Sequence, residues 1–253
     1  MVEIRELHEI AEMERVTGLF GGIWRFDPGS EPINVELMRA LSHAGNYVAG
    51  AFDGDRLVGA SVGFLAANAA LHSHITGATG GHGAGFALKA HQRTWALARG
   101  LARVTWTYDP LVRRNAHFNL AKLGARPLEY LPDFYGTMDD AINRGEASDR
   151  VLAAWELTEP RVEAAVRHRP HVPDVTGAEV ALADDGGRPL LRPTRARRVL
   201  VAVPEDVEGL RRVDPGTAKS WRLAVREVLG GLLAAGGTVT GFRDKSYYVV
   251  ETA

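Results

Sequence analysis

Ala70-Leu71-His72-Ser73-His74-Ile75-Thr76 runs directly into Gly77-Ala78-Thr79-Gly80-Gly81-His82-Gly83-Ala84-Gly85, and from Phe86 the pattern changes again. The first seven residues read as a strand. Five glycines in the next nine residues cannot form an element interior, because glycine loses the most backbone freedom on ordering. Phe86 to Arg99 then carries Leu88, His91, Gln92, Trp95, Ala96 and Arg99 at helical spacing, with Gly100 where a helix-ending residue belongs. Leu101 to Tyr108 alternates, with Val104, Trp106 and Tyr108 on one face and Thr105 and Thr107 on the other, until Asp109-Pro110 stops it. Strand, glycine loop, helix and strand make a βαβ unit, so the chain is an α/β protein.

Upstream, Glu6 to Gly18 places Leu7, Ile10, Ala11, Met13 and Val16 on one helical face, and Gly21-Gly22 is expected to end that helix before Ile23-Trp24-Arg25-Phe26. Phe20, Trp24 and Phe26 suit core packing or the wall of an acceptor pocket. Pro32 to Ala44 predicts a second helix, and Tyr47–Phe52 and Leu57–Phe64 a hairpin turning on Asp53-Gly54-Asp55. Downstream, Asn115 to Leu123 predicts a short helix closed by Gly124, and Glu129 to Tyr135 an extended segment. The Arg-, His- and Pro-rich run Arg167 to Pro173 reads as a linker, dividing a domain over 1–157 from a smaller α/β lobe over 174–253. That lobe offers a hairpin from Glu179 to Pro193, a strand Val199–Val203, a helix Thr217–Ala235, and strands Thr238–Phe242 and Tyr247–Val250.

Composition removes several classes of function. In 253 residues, 30 Lys+Arg balance 31 Asp+Glu, so no global field holds nucleic acid or an anionic membrane. Without cysteine there is no disulfide framework, thiolate metal cage or acyl-cysteine intermediate. The acidic amino-terminal turns lack a signal pattern, and no apolar run approaches the roughly 20 residues of a membrane span, so a cytoplasmic protein is expected.

Successive N–H groups in a glycine turn that opens a helix form an anion cradle, which suits a phosphorylated guest. No Gly-Lys-Ser/Thr follows for a nucleoside triphosphate, and no acidic residue ends a second strand about 20 residues on for a dinucleotide ribose. In context, Gly80-Gly81-His82-Gly83-Ala84-Gly85, the long helix, the Thr-rich strand and the Asn115–Gly124 helix resemble the GNAT acyltransferase superfamily over about the first 155 residues. The strings LHSHITG (71–77), ALKAHQRTWALARG (87–100), TWTYDP (105–110), RNAHFNLAKLGA (114–125) and FYGTMDD (134–140) are similar to a subgroup that includes amino-acid N-acyl- and N-succinyltransferases.

The resemblance implies a mixed, centrally split sheet flanked by helices. It also implies a coenzyme A thioester, acetyl-CoA or succinyl-CoA, as co-substrate, and a small amino-acid-like amine as acceptor. Ile75, Thr76, Gly77, Gly80, Gly81, His82, Gly83, Ala84 and Gly85 would then hold the thioester and pyrophosphate. Asn115, Asn119 and Lys122, spaced to share one helix face, would flank the pantetheine and adenine ends. Two departures stand out. Gly80 replaces a phosphate-binding Arg or Gln, and Leu120 replaces a frequent general-acid tyrosine.

Acyl transfer to an amine needs a base and a polarised carbonyl. A strand N–H near Ile75 to Gly77 can polarise the carbonyl. His72 and His74, two apart on a strand, face the same side, and His74 is the preferred base over the alternative of a packed imidazole. Asp109 could orient a histidine or the substrate ammonium, or simply form a turn before proline. Tyr108, Tyr130 and Tyr135 are core aromatics or a source of the thiolate's proton, with Tyr135 the one retained. A metal on His72 and His74, completed by Asp109 or His82, lacks a compact third ligand and is not expected. Arg192, Arg195, Arg197 and Arg198 suit an anion or a solvated loop. The resulting expectation is a direct N-acyltransferase whose carboxy-terminal lobe covers the acceptor or forms a homodimer surface. The alternatives are a CoA or small-ligand binder with altered catalysis, or an acyl-CoA hydrolase or decarboxylase.

Overall fold

The computed structural model describes residues 2–26, 29–136 and 147–253, so Thr137 to Asp140 of the FYGTMDD string lie outside the described residues. The chain forms two compact units, Met1–Trp106 and Thr107–Ala253.

The first unit runs β1 (Glu3–Glu6), α1 (Ile10–Trp24), α2 (Val35–His43), β2 (Tyr47–Asp53), β3 (Arg56–Ala66), β4 (Ala70–Ala78), α3 (Ala84–Ala98) and β5 (Arg103–Tyr108), whose last two residues open the second unit. Its strands lie in chain order, antiparallel from β1 to β4 and parallel between β4 and β5. The opening segment differs from the expectation twice. Glu6 ends a strand rather than starting a helix, because Glu3 to Glu6 pairs with Ala49 to Phe52. The helix continues through Gly21-Gly22 to Trp24, since Trp24, beyond the glycines, packs on Phe20 and the core it shares with Met38, Val48, Phe52 and Val62, which outweighs two glycine penalties of ~1 kcal/mol each. Asn34 caps α2 by accepting from the Leu37 N–H at 2.8 Å.

The second unit begins with α4 (Arg113–Ala116), extended by a π turn over His117–Lys122, and the antiparallel pair β6 (Arg126–Leu131) and β7 (Arg150–Glu156). The strand expected over Glu129–Tyr135 is therefore displaced upstream, and Tyr135 lies in the turn after it. The small helix α5 (Pro160–Val166) precedes the linker-like run. Then come β8 (Glu179–Asp185), β9 (Arg188–Leu191), β10 (Arg198–Ala202), α6 (Val207–Val213), α7 (Pro215–Val225), a π turn over Arg226–Gly230, α8 (Gly231–Ala234), β11 (Thr238–Arg243) and β12 (Tyr247–Glu251). The five-stranded sheet has the order β11-β12-β10-β8-β9, and only β10–β8 is parallel. Trp155 and Trp221 are fully buried, their indole N–H groups donating to Leu123 O and Gly187 O.

Candidate active site

β4 and β5 pair only from Ala70 to His72, opposite Arg103 to Thr105. Beyond that point the strands part, and Ser73 to Ala78 have no register partner on β5 among the described residues. The fork leaves alternate backbone N–H and C=O groups of β4 open to an extended guest, as at a sheet edge. The β3–β4 ladder explains the divergence. Val62 pairs with Ile75 and Gly63 with Ser73, leaving His74 as the extra residue of a bulge, which bends its strand.

The bulge sorts the side chains. His72 and His74 both lie against Phe64, at ring centroid distances of 5.2 and 5.9 Å. His72 Nδ1 is 3.1 Å from Thr105 Oγ1 and His74 Nε2 3.4 Å from the Pro32 carbonyl. Burial lowers the His72 pKa, and His74 and Lys89 nearby lower it further, so its imidazole is neutral at physiological pH. Ile75 packs on the α1–α2 core. Ser73 and Thr76, three apart, share the opposite face because the bulge lies between them.

That face carries a cluster that the sequence reading overlooked. Lys89 Nζ donates to Ser73 Oγ at 2.9 Å and to Gln92 Oε1 at 3.0 Å, and sits 4.0 Å from the Trp106 ring centroid. Gln92 Nε2 reaches Ser61 Oγ at 3.4 Å, Ser61 Oγ lies 2.8 Å from Thr76 Oγ1, and Thr76 Oγ1 lies 3.5 Å from Ser73 Oγ, which closes a ring of five polar side chains. Lys89 is only 4% exposed. Burial brings its ammonium down to about 7. Its signal was present in the sequence: Lys89 stands three before Gln92 and seven before Ala96, inside the apolar stripe of α3 rather than on its solvent face.

The glycine loop follows β4. Gly83 caps α3 in the left-handed conformation at φ +66°, a position that favours glycine, and no side chain caps the first-turn N–H groups. A Cβ at Gly80, Gly81, Gly83 or Gly85 would meet nothing within 4 Å, so the backbone there is open to a guest. Ala84 is buried beneath it. His82 is tied back to the hairpin, with Nδ1 3.4 Å from Asp53 and Nε2 3.4 Å from Arg56. Gly77 answers to packing, since a Cβ there would lie 2.6 Å from the Trp24 ring. Gly77→Ala is therefore expected to cost about 1–3 kcal/mol by overpacking, read as a lower urea midpoint at unchanged slope. A midpoint equal to the parent's would disprove the close approach.

In the second unit, Asp109 is buried and accepts bonds from Arg211 at 2.7 Å, from both Arg222 nitrogens at 2.8 Å and from the Leu111 N–H at 2.9 Å. Burial would raise its carboxyl, but Arg222 and Arg211 outweigh burial and hold it well below the usual range. Asp149 receives Tyr130 Oη at 2.7 Å and Arg226. The Tyr135 hydroxyl is 3.1 Å from Thr107 Oγ1, and its exposed ring lies 5.2 Å from the Arg150 guanidinium carbon. Asn115 and Lys122 are exposed and Asn119 is buried, because the π turn breaks the regular spacing that would have aligned them. Among the described residues, no three His, Asp or Glu side chains gather as metal ligands, and no helix is long and apolar enough to cross a membrane.

No family model matches the chain, and no curated protein matches it significantly in sequence. Solved structures do match. An N-acetyltransferase from Staphylococcus aureus Mu50 superposes with a TM-score of 0.52 at 11% identity, over 62% of this chain and 99% of that one. A GNAT-family protein from Desulfovibrio desulfuricans gives 0.52 at 15% identity, over 62% and 100%. The fold is that of the GNAT acetyltransferases. The Salmonella typhimurium protein yncA, solved with its cofactor acetyl-CoA, gives 0.51 at 13% identity, over 62% and 95%.

Proposed function

We propose that the protein is an acyl-CoA-dependent N-acyltransferase that moves the acyl group directly to the amine of a small, amino-acid-like acceptor. The observation that carries this reading is the continuity of the open β4 edge with an open glycine turn at the N-terminus of a 15-residue helix. One end offers donors to a thioester carbonyl and the other donors to a pyrophosphate, at the spacing of one strand. The resemblance over about the first 155 residues is what assigns 1–157 to the acyl-CoA portion. The lobe over 174–253 would then cover the acceptor or mediate a homodimer.

The backbone of Gly80, Gly81, Gly83, Ala84 and Gly85 would cradle the phosphates, with His82 bracing the loop. Backbone near Ile75 and Thr76 would polarise the carbonyl, and Gly77 would hold β4 against Trp24. His74, with His72 beside it, would accept the acceptor's proton. Asp109 serves as a structural anchor for the arginines around it. Asn115, Asn119 and Lys122 are assigned to the cofactor by the resemblance alone, and Tyr135 is one candidate source of the thiolate's proton by its residue type. Acetyl-CoA and succinyl-CoA are the donors to try first, amino acids the first acceptors, and the cytoplasm the expected compartment.

A thermal-shift titration with coenzyme A, acetyl-CoA and succinyl-CoA tests the cofactor, because a ligand bound only by the native state raises Tm. A saturable rise is expected with at least one of them, followed by thiol release in an amino-acid screen. No rise at millimolar ligand overturns the reading, and thiol release without acylated amine turns it into hydrolysis. Gly83→Val should weaken CoA binding about tenfold or more by placing a β-branched residue at positive φ in the cradle. His74→Ala should lower kcat on the order of 10²-fold at near-constant KM. Equal small effects of both changes on both parameters would sink these assignments.

A further inference from the structure

Acyl transfer leaves two proton tasks, and for the second the sequence offers only Tyr135, an exposed residue whose hydroxyl is engaged with Thr107. The acceptor nitrogen loses a proton to His74, while the departing thiolate must gain one, and the position of the expected tyrosine is occupied by Leu120, which is fully buried. The other face of β4 at the fork carries the group that can do this. Ser73 and Trp106 are the first residues of β4 and β5 beyond the last paired position, His72–Thr105, and the Lys89 ammonium touches both. Lys89 therefore stands at the apex of the opening, joined to the β4 edge by a hydroxyl that can pass a proton.

We propose that Lys89, acting through the Ser73 hydroxyl, is the positioning residue that returns the proton to the leaving thiolate. This rests on the acyltransferase reading. As the nitrogen–carbonyl bond forms and the carbonyl–sulfur bond breaks, the sulfur takes the Ser73 proton and Ser73 takes one from Lys89. Neutral Lys89 recovers its proton from solvent as the product leaves, and His74 gives up the proton it accepted, so the cycle is balanced.

The surroundings suit an acid. An ordinary lysine ammonium, near 10.4, is a weaker acid than the leaving thiol, whereas burial brings Lys89 to about 7 and makes the transfer downhill. No carboxylate among the described residues pairs with it. Of the titratable groups on elements packed against α3, Glu6 of β1 bonds Trp95 and Tyr47 of β2 bonds His91, while Ser61 of β3 accepts from Gln92, the amide that Lys89 itself bonds. On β4, His72 is the group whose ionisation Lys89 influences.

The chain has four lysines, at 89, 122, 219 and 245, so lysine-selective NMR can follow Lys89 directly, assigned by its loss in Lys89→Arg. One signal should titrate near 7. With the amine that the screen identifies, kcat should fall as pH rises through that titration. Lys89→Met should be slower on the order of 10²-fold at pH 6.5, lack the descending limb, and keep KM for acyl-CoA within about twofold. Lys89→Arg should be as slow, since a guanidinium keeps its proton. Ser73→Ala should lose rate while the Lys89 signal still titrates near 7, which separates relay from simple folding defects. A native Lys89 that titrates above 9, or variants that retain rate and limb, would overturn the proposal. If acyl-CoA does not bind or no amine is acylated, it is the acyltransferase reading that fails, and the proposal falls with it.

Discussion

Asp109→Ala should destabilise the second unit by about 3–5 kcal/mol, because it leaves the Arg211 and Arg222 guanidiniums buried with their shared carboxylate removed. At ~2–4 °C per kcal/mol for a chain of this size, the drop in Tm is about 6–20 °C. The arginines are 3% and 2% exposed, so water cannot replace the lost partner without opening the fold. The cause can be isolated by removing the cations as well. Asp109→Leu combined with Arg211→Met and Arg222→Met should recover most of the loss, since desolvated charges are then absent altogether. A single variant as stable as the parent, or a triple variant worse than the single, would show that the ion cluster is not what holds this region. The depressed Asp109 carboxyl contributes stability that is present above its unfolded value and lost as pH falls through strongly acidic values.

The second large effect is a dependence of stability on pH in the neutral to alkaline range. Lys89 titrates at about 7 in the folded protein and near 10.4 when unfolded, so between these values the unfolded chain binds one more proton. Stability from this group therefore rises with pH across that window, and the burial penalty is complete below about 7. Lys89→Met lacks the titrating group. Relative to that variant, the parent should gain about 4 kcal/mol between pH 7 and pH 10. Urea unfolding of both proteins at several pH values checks this, and parallel curves would mean that Lys89 keeps an ordinary ammonium despite its burial.

Much of the first unit was legible because its signals are local. The apolar alternation of Tyr47–Phe52 and Leu57–Phe64, the glycines from Gly77 to Gly85 and the stripe of α3 each depend on a few neighbouring residues. The failures were those of context. Glu3–Glu6 has too few residues to announce a strand and becomes one only by pairing with β2. Gly21-Gly22 is a plausible stop that the core overrides.

The sequence by itself determined the order of the elements from α1 to β5, the anion-suited glycine turn and the two histidines on one side of β4. Tertiary structure alone decided the bulge at His74, which needs the β3 ladder, and the fork, which needs β5 to pair for three residues and then stop. It alone also decided that Asp109 would be claimed by two arginines about a hundred residues away in the chain. The physical reason is the same in each case. Periodicity reports which side of an element is apolar, but a hydrogen-bond partner or a counterion is chosen by the backbone that arrives opposite, and for Lys89 that was a ring of hydroxyls, an amide and an indole in place of water.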